Sequence, residues 1–179
     1  MATVVRASLT SLALCAILLA PETSHAEEKT VTPNWYLVDE IIEDKAPDYR
    51  SDIFFADKAS IKQDNGYTSI SISQIIMSQG DEPSDSVIRD LRSRIMIDCN
   101  EHIYATMEVS EFDQDNKLIT SKTMPLETVE WELPFANSGY VSVFRFACEP
   151  DIEFGSQKFP AEIQPLASVM AYLKADWRN

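Results

Sequence analysis

The sequence predicts an α+β fold: an antiparallel β-sheet of about six strands, a helix tethered to it by a disulfide, and a second helix near the C-terminus. Three observations carry that prediction. Between Trp35 and Thr120, short segments alternate apolar and polar residues with period two and are separated by turn-forming residues. Two later segments, around residues 139–148 and 165–177, place apolar residues at helical spacing instead. Cys99 and Cys148 form an even pair once an export signal is removed.

That signal occupies residues 1–26. Arg6 gives a positive start, residues 9–20 a short apolar core, and Pro21 a break before Ser24-His25-Ala26, with cleavage expected between Ala26 and Glu27. Lipidation at Cys15 is disfavoured, because Leu14 stands where a lipobox needs Gly or Ala. The apolar run is also shorter than the ~20 residues that cross a bilayer core, so no transmembrane anchor is expected in the mature chain. Delivery into an oxidising compartment favours a Cys99–Cys148 bond over two buried free thiols.

Composition suits one globular domain of about 150 mature residues, the full 179-residue chain having 45% hydrophobic and 25% charged residues. The formal net charge of -14 opposes binding to nucleic acid or to an anionic membrane surface, and favours basic partners or simple solubility.

In chain order, residues 27–34 read as a flexible leader. Trp35 opens a strand that runs through Ile42, and residues 43–52, with Pro47, read as a charged loop. Ile53-Phe54-Phe55-Ala56-Asp57 is an aromatic strand, and Asp64-Asn65-Gly66 a tight turn. From Tyr67, Ile70, Ile72 and Gln74 share one face while Ser69, Ser71 and Ser73 share the other, which predicts a half-buried strand. Residues 79–86, with Gly80 and Pro83, form a loop.

Residues 87–99 make a long strand with Ile95, Ile97 and Cys99 on one face and Arg92, Arg94 and Asp98 on the other. Residues 103–109 return antiparallel to it. Asp113-Gln114-Asp115-Asn116 then reverses the chain into residues 117–120, which completes a meander.

The stretch before Cys148 supports two readings. Val141-Ser142-Val143-Phe144-Arg145-Phe146 has good strand propensity. As a helix starting after Asn137 or Ser138, it aligns Tyr140, Val143, Phe144, Ala147 and Cys148 in one stripe behind a polar N-cap. The helix is the preferred reading, held on the sheet by Cys148. Further on, Leu166, Val169, Met170, Leu173 and Trp177 recur at helical spacing behind Pro165, a stripe whose default use is core packing.

The order of these features resembles the surface-adhesin protein E family of Gram-negative bacteria. The residues that carry the resemblance are Trp35, the Phe54-Phe55-Ala56-Asp57 motif with Ile61, Gly66, Ile97-Asp98-Cys99, Phe112-Asp113 ahead of Asn116-Lys117, and Trp131 leading to Pro134, Ser138 and Cys148. It covers residues 35–148 and leaves 149–179 as a C-terminal extension. Asn116 stands where a turn glycine is expected, a small departure because Asn tolerates left-handed geometry. The resemblance implies an antiparallel sheet with a disulfide-bound helix, a cell-envelope location, and binding of host matrix or plasma proteins.

An enzyme is not expected. His102 is the single histidine of the mature chain and reads as a strand residue beside Tyr104 and Thr106; no nucleophile-elbow pattern or glycine-rich phosphate loop occurs. Asp113 and Asp115 resemble the start of a calcium loop, but the sixth position is not Gly and the twelfth is Met124. A hairpin turn is the simpler reading, and no cofactor is expected. Two functions remain in view: a non-enzymatic binding protein in the periplasm or at the outer-membrane surface that offers the Pro47 loop, the Pro83 loop or a free sheet edge to a protein, or a periplasmic assembly accessory that docks an envelope component through residues 149–179.

Overall fold

The computed structural model describes residues 32–45, 48–79, 87–149 and 164–176. Within them the chain forms β1 (Trp35–Lys45), β2 (Asp48–Asp64), β3 (Tyr67–Gln79), β4 (Val87–Asp98), β5 (Ile103–Asp113), β6 (Leu118–Thr123), α1 (Gly139–Cys148) and α2 (Pro165–Asp176). The strands form one six-stranded antiparallel sheet in the order β1-β2-β3-β4-β5-β6. Residues 1–31, including the Ala26–Glu27 junction where the sequence reading expects cleavage, lie outside the described residues.

Turn chemistry sets the register where the sequence places it. Asn65 and Gly66 have φ of 50° and 87°, the paired positive values of the tight hairpin turn that matches strand twist. At the β5–β6 turn Asn116 adopts φ 60°, and the Asp113 carboxylate accepts the Asp115 and Lys117 backbone N–H groups at 3.0 and 2.9 Å. The acidic pair that resembled a calcium loop thus builds a hairpin.

The first two strands are longer than the sequence suggests. Pairing between β1 and β2 runs continuously to Lys45↔Asp48, so most of the charged stretch around Pro47 is strand and only residues 46–47 intervene. Residues 43–52 include Pro47 and six charged side chains and lack alternating hydrophobicity, so the pattern that would have marked a strand is missing.

Adjacent residues Phe54 and Phe55 point to opposite faces, and each belongs to a different core. On the Phe54 face, Ala56, Ile70, Ile72, Ile95, Ile97 and Tyr104 lie under Val143, Phe144, Phe146 and Ala147 of α1. The helical reading therefore holds, and Phe146 widens the expected stripe. Gly139 starts α1 directly over Phe54, where any Cβ would overlap the phenyl ring, so the close approach requires glycine. Cys99 and Cys148 are bonded, with Cα atoms 5.7 Å apart, inside the normal range for a disulfide.

On the Phe55 face, Trp35 and Ile75 pack with Leu166 and Val169 of α2, with Leu37, Ile53, Met77 and Met170 around them. This corrects the half-buried reading of β3. The face that begins with Ser69, Ser71 and Ser73 continues into Ile75 and Met77, and Ser73 itself is fully buried. Helix α2, from the far end of the chain, supplies the cover. The side chain of Leu173 and the whole of Trp177 fall outside the described residues.

Candidate binding surfaces

The motif residues of the sequence reading turn out to be builders of the sheet. Asp57 is buried, and its Oδ1 accepts the Asn34 N–H at 2.6 Å and the Ala59 N–H at 3.0 Å. Beside it, the Ser60 hydroxyl donates to the Asp57 carbonyl at 2.7 Å and accepts the Ser71 N–H at 2.8 Å. These bonds hold a wide bulge in which the pairing jumps from Asp57↔Ser71 to Lys62↔Ser69. Phe55 and Trp35 sit in the second core, Gly66 in the hairpin turn, and Trp131 packs in a tilted arrangement against Tyr67 with ring centroids 5.2 Å apart. None of the five groups points a reactive atom into a cleft.

His102 is not on a strand. It occupies the turn before β5 with φ 57°, is exposed, and its Nδ1 lies 3.1 Å from the Asn100 carbonyl oxygen. The backbone tolerates this at a four-residue reversal in which Asp98 Oδ1 accepts the Asn100 and Glu101 N–H groups at 2.9 and 3.1 Å.

What the fold does leave open is an edge. All six residues of β6 are exposed, Leu118 and Ile119 to 51% and 49%. Its inner side pairs with β5 from Glu108↔Thr123 to Phe112↔Leu118, and among the described residues no strand covers its outer side. The Pro47 and Pro83 loops, the other contact regions expected, lie outside the described residues.

The face of the sheet beyond α2 carries a polar network that the sequence reading missed. Asp90 is fully buried, and its carboxylate accepts the Ser73 hydroxyl at 2.6 Å and Arg92 Nε at 2.7 Å. The Arg92 guanidinium also lies 4.0 Å from the centroid of the Phe112 ring and bonds the Asn116 side chain. Farther along the same face is an open groove of about 300 Å³, bordered by Lys62, Arg94, Met96, Met107, Glu108 and Met124 among others.

On the opposite face, Tyr104 and Tyr140 stack with ring centroids 4.7 Å apart, and the Tyr104 hydroxyl donates to Glu132 Oε2 at 3.4 Å. Burial, then the neighbouring Tyr140 and the Glu132 carboxylate, push the Tyr104 phenol above its usual range; burial and then Glu132 do the same to Tyr140. In the unfolded chain these phenols lose their protons near pH 10, before the folded ones do. Stability is therefore intact below about pH 10 and falls as pH rises from there toward the higher folded values. Urea melts across pH 8–11 are expected to show that loss, and a Tyr104→Phe variant is expected to show a smaller one; equal alkaline losses would contradict the assignment.

Comparison with protein-family models, curated proteins and solved structures gave no match.

Proposed function

We propose that this chain is an exported, non-enzymatic cell-envelope binding protein that engages a protein partner along the open edge of β6, in the manner its resemblance to the surface-adhesin protein E family implies. The observation that carries the reading is β6 itself: a short edge strand, exposed along its whole length, with Leu118 and Ile119 turned to solvent. An unpaired row of backbone donors and acceptors binds an extended segment by adding a strand, while flanking side chains select which segment. Residues 116–123 contain Lys117 and Lys122 and no carboxylate, so the edge suits a neutral or acidic strand although the chain as a whole is acidic. A host matrix or plasma protein is the proposed partner class. The accessory reading has less support, because Leu166 and Val169 of α2 pack on the protein's own sheet.

Binding to immobilised plasma and matrix proteins tests this. The unmodified protein is expected to bind, and a Leu118→Glu/Ile119→Glu variant, which places carboxylates where a neutral or acidic strand would lie, is expected to lose binding while its thermal unfolding stays unchanged. Retained binding by that variant would remove β6 from the mechanism, and absence of binding by the unmodified protein would remove the partner class. Protease treatment of intact cells, before and after outer-membrane permeabilisation, separates surface display from a periplasmic location.

A further inference from the structure

We infer that the groove bordered by Met96, Met107 and Met124 is a thioether site for a soft monovalent metal ion of the copper(I) class. The three methionines are 11 and 17 residues apart in sequence, and the sheet gathers them. Met96 on β4 pairs with Ala105 of β5, two residues from Met107 on the same strand. Diagonal neighbours of this kind lie roughly 7–8 Å apart, within reach of two long side chains. The β4–β5 register moves from Arg94↔Glu108 to Ile95↔Thr106 and skips Met107, a bulge that re-aims its side chain. Met124 is held beside it, its N–H donating to the Met107 carbonyl at 2.7 Å.

Methionine usually fills irregular gaps in a core, and Met77 and Met170 do so here against the Phe55 core. Met96, Met107 and Met124 differ, because they border open space and are half-buried. Their neutral, polarisable sulfurs suit a soft ion and hold hard dications poorly. Both cysteines of the described residues are consumed by the disulfide, and among the described residues no three His, Cys, Asp or Glu side chains converge as an alternative site. The rim is balanced in sign, Lys62 and Arg94 against Asp64 and Glu108, with Arg94 and Glu108 paired at 3.6 Å. A single positive charge on neutral ligands fits that rim better than a double one. This site is independent of the β6 edge.

Silver(I), a redox-inert probe of the same class, tests the inference on protein labelled at the methionine methyl carbons, in a Cys15→Ser background so that no free thiol competes. The Met96, Met107 and Met124 methyl signals are expected to shift on titration while those of Met77 and Met170 stay in place, and excess zinc(II) is expected not to reproduce the change. Met96→Leu/Met107→Leu/Met124→Leu is expected to abolish silver binding with near-ultraviolet circular dichroism unaltered, since Met-to-Leu exchange conserves volume. No methyl shift at these three residues, an equal shift at Met77 and Met170, or binding that persists in the triple variant would overturn the assignment. So would a groove that takes up an apolar dye while silver leaves its methyls unmoved.

Discussion

Replacing both Cys99 and Cys148 by serine is expected to lower stability by about 4 kcal/mol, the loop-closure entropy of a chain segment of this length. The two residues are 49 apart in sequence, and the bond joins the end of β4 to the last residue of α1. A ten-residue helix does not persist alone in water, so α1 depends on its docked face and on this tether. Val143, Phe144, Phe146 and Ala147 remain apolar in the variant and still have a sheet to cover. The variant is thus expected to fold, with a lower midpoint and a steeper slope in urea because its unfolded chain is less compact, and the reduced unmodified protein is expected to match it. An unchanged midpoint would mean that the crosslink does not restrict the unfolded chain as this account requires.

The second large effect is expected at Asp90. Its carboxylate is fully buried between β3 and β4 and is satisfied by Ser73 and by Arg92, whose side chain is 24% exposed. Asp90→Ala leaves the Arg92 guanidinium and the Ser73 hydroxyl without that partner, and removal of one member of a buried ion pair costs about 3–5 kcal/mol. Asp90→Asn keeps the shape and one acceptor and is expected to cost less. Combining Asp90→Ala with Ser73→Ala and Arg92→Met is expected to recover part of the loss, because the orphaned donors go with it. A cost for Asp90→Ala below about 1 kcal/mol, the ordinary value of a lone neutral hydrogen bond, would show that the network is not coupled.

These two sites also mark how far the sequence could be read. The disulfide, α1 and strands β3 to β6 were legible because local signals agree: Ile95, Ile97 and Cys99 alternate on one face, Asn65-Gly66 fixes a turn, and Tyr140, Val143 and Phe144 follow helical spacing. Asp90 was not legible, since a charge inside an alternating strand normally marks the wet face. Its burial depends on Ser73 of the neighbouring strand and Arg92 of its own meeting it, and both had been assigned to the polar side for the same reason. The serine face of β3 was misjudged because its cover, α2, begins some 90 residues later, beyond any local pattern.

The motif around Asp57 was visible as a pattern but not as a role. Only the bonds to Asn34, Ala59 and, through Ser60, to Ser71 explain it as the organiser of a bulge. The methionine groove left no trace in sequence spacing at all. Three residues on two strands and the segment after β6 become neighbours through register alone.

Because each strand lies beside the one that precedes it, construction can advance from the N-terminal end in step with the arrival of new chain. Contacts between near neighbours are quick to close and require no distant partner to wait for. The sulfur bridge, the two helices and Trp131 against Tyr67 reach back across the layer, so oxidation is the clasp fastened after the fabric has been laid.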